Sequence, residues 1–161
     1  METTAPQVYI FLITVYGGLL VGAAMTQHPE LFGAVVCGVP LLDMVRYEKF
    51  GLGATWNVEY GSADDPEQLA WLLSYSPVHH VREGVDYPAT LFTVFDGDTR
   101  VDPMHARKMA AMLQACAADQ DERPVLLHQE GRAGHGVGKP VGKRAAEQAD
   151  VLAFFAWQLA L

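Results

Sequence analysis

Serine is scarce in this 161-residue chain, and Ser62, Ser74 and Ser76 are the only three. Cysteine is rarer still. Cys37 and Cys116 stand in no metal-like or redox-like spacing, so both are read as small buried hydrophobes. That excludes a disulfide frame and is compatible with a reducing compartment. Basic residues are few as well, 11 Lys and Arg against 19 Asp and Glu, and the net charge is −8. Such a balance excludes nonspecific attraction to nucleic acid or anionic lipid. Internal repeats, low-complexity tracts and charged linkers are absent, which leaves one domain.

One absence is local. Val8 to Met25 is eighteen residues without a charge, the lower threshold for a membrane span. Val8–Val15 is β-branched and aromatic, however, and Gly17-Gly18 breaks the run at its middle. The sequence therefore predicts a buried strand followed by a helix rather than a membrane anchor. The leading "METTAPQ" lacks the basic n-region of a signal peptide, so a cytoplasmic location is expected.

Half of the residues are apolar and 19% are charged, a globular composition. Predicted strands are Val8–Thr14, Gly33–Pro40, Pro88–Phe95 and Pro124–Glu130. Predicted helices are Gly17–His28, Pro66–Ser74, Met104–Ala118 and about Gly142–Leu159. Along the last helix Ala145, Ala149, Leu152, Phe155 and Leu159 form the expected buried stripe, and Met109, Met112, Leu113 and Cys116 share a face of the one before. Leu41–Ser62 reads as irregular and carries Tyr47, Phe50, Trp56 and Tyr60. Continuous apolar strands alternating with helices indicate an α/β fold, a mostly parallel sheet with helices on both faces. In such sheets the chemistry gathers at the carboxyl ends of strands.

Those ends hold Tyr16-Gly17-Gly18, the loop "DGDTRVD" and the loop "GRAGHGVGKP". The first loop brings three carboxylates, Asp96, Asp98 and Asp102. A calcium loop needs an oxygen ligand where Arg100 stands, so no metal site is predicted. The second loop is glycine-rich like a phosphate loop, but Ala133 takes the place of the first glycine. Pro140 replaces the hydroxyl that should follow the lysine, so phosphate binding is not expected. No cofactor is implied. Among the histidines, His28, His105 and His128 read as structural and His79-His80 as surface residues. His135 differs, because Gly134 and Gly136 leave its imidazole sterically free at the end of a strand, as general base catalysis requires.

Asp98 followed by His135, each on a loop after its strand, is the acid-then-base order of an α/β-hydrolase triad. The longer pieces "YGGLLVGAAMTQHPELFGAVVCGVPLLDMVRYEKF", "TWNVEYGSADDPEQLAWLLSYSPVHHV", "YPATLFTVFDGDTRVDPMHARKM" and "AGHGVGKP" resemble the prolyl oligopeptidases, in family order and at family spacings. The likeness runs from about Tyr16 to the end, with residues 1–15 a divergent segment that forms a strand. It implies the C-terminal part of an α/β-hydrolase catalytic domain, without the upstream strands and the β-propeller. By this resemblance Asp98 is the triad acid and His135 the general base. Tyr16 gives a backbone N–H to the oxyanion hole. Trp56 stacks on the substrate proline, with Tyr60 and Val101 lining the pocket, and Arg100 binds a substrate carbonyl. Flat indole and forked guanidinium suit those tasks.

The departure from the family is at the nucleophile. Its pattern Gly-x-Ser-x-Gly-Gly meets Ile13-Thr14-Val15-Tyr16-Gly17-Gly18, so Val15 stands where the Ser should be. None of the three serines is placed to substitute. A triad works as a unit, so the expectation is a serine peptidase that once cut short peptides after proline and is now inactive, the product of a truncated or rearranged gene. Two alternatives remain: a non-catalytic module for proline-containing peptides, and a chain anchored in a membrane through residues 8–25. Loss of upstream strands would expose "VYIFLIT" as an apolar sheet edge, predicting self-association or pairing with a complementary fragment.

Overall fold

The protein is described by a computed structural model, which covers residues 8–13, 15–131 and 140–160. The uncharged N-terminal stretch divides at the expected place. Strand β1 spans Val8–Ile13 and helix α1 spans Val15–Gln27. At thirteen residues α1 is about 20 Å long, too short to span a bilayer. No helix among the described residues is long and apolar enough to cross a membrane.

Strand β2 follows at Phe32–Gly38. The irregular stretch after it winds through two 3-10 turns, Tyr47–Lys49 and Gly53–Trp56, into a one-turn helix α2, Asn57–Tyr60. Helix α3, Pro66–Tyr75, starts with Pro at its first turn, and the Asp65 side chain caps the free amides of Glu67 and Gln68. A short α4, Pro77–His80, leads to β3 at Ala89–Phe95. Helix α5, Met104–Cys116, strand β4, Val125–Glu130, and helix α6, Val141–Gln158, complete the chain.

All three strand pairings are parallel, and the order is β1-β2-β3-β4. Period-two alternation decides which face each residue serves. Val35 and Cys37 of β2 join Phe92 and Val94 of β3 beneath Val21 and Met25 of α1 and Met109 and Leu113 of α5. Ala34 and Val36 turn the other way with Ala89 and Leu91, and meet Val151 and Phe154 of α6. Helices therefore cover both faces, and every residue of β3 is buried. Cys37 is a buried free thiol whose pKa burial drives strongly upward; Cys116 is free but only half-buried.

The buried stripe of α6 differs from the expected one. Ala145 and Ala149 are exposed, Leu152 is 66% exposed, and the sheet is met by Val151 and Phe154 with Phe155 and Leu159 partly buried. The helical period is the expected one and its phase differs by about one residue, 100° of rotation. The sheet presents Ala34 and Ala89 on this face, and these small side chains accept the bulk of Phe154.

Candidate active site

The carboxyl ends of β1 and β3 place Gly17-Gly18 and the acidic loop Asp96–Asp102 at one end of the sheet. Gly17 and Gly18 lie in the first turn of α1, and both are buried. Gly18 is there because nothing larger fits. A Cβ on it would stand 2.6 Å from the Pro40 Cα and 3.0 Å from the Gly38 oxygen, at the end of β2. The Cys37 thiol reaches the Gly18 carbonyl at 3.4 Å and ties the same two elements together. Beyond β2, Val39 adopts φ 41°, uncommon for a β-branched residue, and donates its N–H to the Thr93 oxygen of β3 at 2.9 Å.

The acidic loop after β3 assigns each carboxylate a different neighbour. Asp96 is exposed and pairs with Arg107 at 3.2 Å. Asp102 accepts the Met104 amide at 2.8 Å at the start of α5. Asp98 is buried at 9% exposure, and its Oδ1 accepts the amides of Arg100 at 2.9 Å and Val101 at 3.0 Å. A carboxylate that accepts two amides is oriented by its own loop. The three carboxylates diverge, and among the described residues no group of three His, Cys, Asp or Glu could hold a metal ion. His135 lies outside the described residues, as does the remainder of the 132–139 loop.

Three of the pocket residues expected from the resemblance come together. Val101 is buried in one apolar cluster with Leu19 of α1, Leu41, Met44, Tyr47 and Leu72, and Trp56 and Tyr60 pack half-buried against it. Arg100, the neighbour of Val101, is exposed. Its carbonyl accepts the Leu52 amide at 3.2 Å, which stitches the acidic loop to the aromatic stretch. Gly51 makes this approach possible: it sits at φ 55°, and a Cβ on it would stand 2.6 Å from that oxygen. Tyr16 belongs to the first turn of α1, where main-chain N–H groups have no partner within the helix.

The supports of this pocket were not visible in the sequence. Tyr47 is fully buried, and its ring meets Tyr60 edge-on with centroids 5.6 Å apart. The Tyr47 hydroxyl lies 2.5 Å from the Gly61 oxygen and 2.9 Å from the Asn57 side-chain amide, at the two ends of the turn bearing Tyr60. Burial, with Glu48 and Tyr75 nearby, pushes the phenol pKa up to about 12. Glu48 accepts the Ala63 amide at 3.0 Å, and Gln68 accepts the Ser62 amide at 2.7 Å. In the sequence Tyr47 is one aromatic of an irregular stretch, and no local spacing marks its role.

A second unforeseen cluster lies beside it. The Asp43 side chain is fully buried and forms ion pairs with Lys108 and, at 3.2 Å, with Arg46. Burial works to raise the Asp43 pKa, but the two cations outweigh it and hold the carboxyl below its ordinary value. His105, 1% exposed, accepts the Asp43 amide on Nδ1 at 3.1 Å. Its proton therefore sits on Nε2, and burial pulls its pKa down to about 4. The structural reading of His105 holds. His79 is exposed, with its Nδ1 2.8 Å from the Ser76 hydroxyl, as a surface residue.

The profile of the prolyl oligopeptidase family matches residues 14–161. The chain belongs to the prolyl oligopeptidase family. It is 44% identical over 146 residues to a prolyl endopeptidase of Elizabethkingia miricola, spanning 90% of this chain and 20% of that protein. Prolyl oligopeptidase A of Amanita bisporigera is 38% identical over 146 residues, 90% of this chain and 19% of its own. In solved structures, a prolyl endopeptidase superposes with a TM-score of 0.87 at 53% identity, over 91% of this chain and 21% of that one. A post-proline cleaving enzyme from Rickettsia typhi superposes at 0.82 with 38% identity, over 92% and 21%. The chain thus has the fold of part of a prolyl oligopeptidase hydrolase domain, and it spans about a fifth of the length of these relatives.

Proposed function

We propose that this chain retains the proline-recognition pocket and the acid–base pair of a post-proline serine peptidase, and that Val15 in the nucleophile's place leaves it without hydrolysis. The observation that carries the reading is the convergence of Trp56, Tyr60 and Val101 against Leu19 of α1, with Asp98 three residues before Val101 on the same loop. A pyrrolidine ring is flat and apolar and stacks on an indole face. Arg100, exposed beside the pocket, donates to a substrate carbonyl ahead of the proline.

In the proposed site Asp98 holds the His135 imidazole in the tautomer that accepts a proton. His135 would take the proton of an attacking hydroxyl and return it to the leaving amine. The Tyr16 amide faces the oxyanion that forms at the attacked carbonyl. Val15 offers carbon where this sequence of transfers requires an oxygen nucleophile. Peptide would still bind, so the chain acts as a proline-peptide-binding module.

The test compares wild type with Val15→Ser on a short chromogenic peptide cleaved after proline, with fluorophosphonate labelling in parallel. The wild type is expected to be silent and unlabelled while binding the peptide. Labelling of Val15→Ser would show that the acid, base and oxyanion hole are assembled. Hydrolysis by the wild type would overturn the proposal, and so would failure of the Trp56→Ala variant to weaken peptide binding.

A further inference from the structure

Helix α1 leads from the proposed site toward the amino ends of the strands. Gly17 and Gly18 lie in its first turn, and it ends at Gln27, about 15 Å further along its axis. There Thr26, Gln27 and His28 line a cavity of about 350 Å³ together with His79, His80 and Arg82. Three of the chain's six histidines therefore meet in one place. The net charge of the chain is −8, yet no carboxylate lines this cavity among the described residues. Neither the proposed acid–base pair nor the proline pocket uses any of these side chains.

Each imidazole is held by the protein through one ring nitrogen. His80 Nε2 donates to the Leu73 carbonyl at 3.1 Å, and His28 Nδ1 faces the Glu30 carboxylate at 3.4 Å. An acceptor oxygen fixes the ring proton on the nitrogen it meets, which leaves His80 Nδ1 and His28 Nε2 uncommitted. The Ser76 hydroxyl accepts the Met44 amide at 3.0 Å and keeps its own proton for His79 Nδ1, 2.8 Å away. His79 then carries its proton on Nε2. Desolvation lowers the His79 pKa; Asp43 opposes that shift, and Lys108, Arg46 and His80 add to it. At neutral pH this ring is therefore an uncharged N–H donor.

Arg82 decides what the cavity can hold. It is exposed, and its one hydrogen bond among the described residues is from the main-chain N–H to the Tyr87 hydroxyl. The negative end of α1 favours a nearby cation, but a helix end carries about half a charge, less than one guanidinium supplies. Three imidazoles in one cavity would otherwise suggest a transition metal. Among the described residues, however, no three such ligands are arranged to hold one. Arg82 on the same wall also repels a cation.

We propose that this cavity is a binding site for an oxyanion of the phosphate class. Arg82 supplies a full charge and a fork of donors matched to such an anion. His79 adds a neutral Nε2–H. His28 and His80 become donors at their uncommitted nitrogens by taking up a proton together with the anion, and Glu30 beside His28 favours that uptake. Thr26 forms the floor rather than a ligand, because its hydroxyl already donates to the Gly22 carbonyl at 2.8 Å. The volume lies in the range of small-molecule sites, which leaves room for the organic part of a phosphate monoester.

The test titrates the full chain with inorganic phosphate and, separately, glycerol 3-phosphate, by calorimetry and imidazole NMR at constant ionic strength. Saturable binding is expected, stronger at pH 6 than at pH 8, with proton uptake and shifts of the His28 and His80 ring signals. Arg82→Gln is expected to weaken it about tenfold. His80→Gln should reduce both the proton uptake and the pH dependence, and serves alone if circular dichroism shows Arg82→Gln unfolded. Tighter binding of the ester assigns the remaining volume to its organic part, and equal binding makes free phosphate the ligand. Absence of saturable binding overturns the proposal, as does binding that neither variant alters. Nickel ion bound by the same imidazoles, and more tightly in Arg82→Gln, also overturns it and assigns the cavity to a metal.

Discussion

The imidazole of His105 and the main chain of Asp43, 62 residues apart in sequence, form one buried unit: Nδ1 accepts the Asp43 amide at 3.1 Å. A second amide, that of Leu42, approaches the same nitrogen at 3.4 Å. Through these contacts α5 holds the loop that leaves β2 toward the pocket. A proton on Nδ1 would remove both interactions.

Stability is therefore expected to depend on pH through His105. Its folded pKa of about 4 lies below the ordinary 6.5, so the unfolded chain takes up the proton first as pH falls. The contribution is complete above about 6.5 and declines as pH drops toward 4, by on the order of 3 kcal/mol. His79 is exposed as a residue, but partial desolvation of its ring also lowers its pKa and acts in the same direction. Urea titrations at pH 7.5 and 4.5 should show the decline. His105→Gln should flatten it, and an unchanged slope in that variant would assign the pH dependence elsewhere.

Removing one partner of the Asp43–Lys108 pair should be costly. Lys108→Met leaves a fully buried carboxylate with Arg46 alone, whose side chain is half exposed. A loss of about 3 kcal/mol is expected. The Asp43→Asn, Lys108→Met double variant should recover more than half of it, because no charge then remains buried. Chemical denaturation of these three proteins and of Asp43→Asn completes the cycle.

Tyr47→Phe keeps the edge-on ring contact with Tyr60 and deletes only the hydroxyl. The Gly61 oxygen then loses its 2.5 Å partner, at a cost of about 1–2 kcal/mol. The melting temperature should fall by about 3–6 °C. Exchange of the Asn57–Gly61 amides should quicken more than that of β3, whereas a uniform change would argue against a local role in holding the turn.

Gly18→Ala tests the close approach of α1 and β2. The added carbon would stand 2.6 Å from a backbone atom of Pro40, which cannot swing aside as a side-chain tip can. A loss of about 1–3 kcal/mol is expected. Gly142→Ala is the control, since nothing lies within 4 Å of that Cβ and α6 gains a better helix former. Thermal melts should move in opposite directions.

The sequence was most informative where a signal is local. β1, β2 and β3 are apolar runs and β4 opens on one, Val125–Leu127, and all four strands occur within a few residues of the expected bounds. The meeting of Trp56, Tyr60 and Val101 was legible from long motifs in register rather than from periodicity. The phase of α6 was not legible, because Leu152 and Phe155 look as apolar as Val151 and Phe154 and only the shape of the sheet decides between them. The Tyr47 and Asp43 clusters stayed hidden for a related reason. Asp43 finds Lys108 65 residues away, and pairing at that separation leaves no trace in spacing. The tyrosine that supports Tyr60 reads in sequence as one more aromatic.

The simple strand order also bears on how the chain reaches this structure. Each strand pairs with the next one made, so the sheet can grow in the order of synthesis without rethreading. The widest gap is between β2 and β3, where Ala34 finds Ala89. The intervening chain contains the turns that carry Trp56 and Tyr60. Closing that gap carries the largest loop entropy of the three pairings. The pocket and the central strand pair should therefore be acquired in a single late step, with β1–α1–β2 and β3–α5–β4 forming earlier as separate halves.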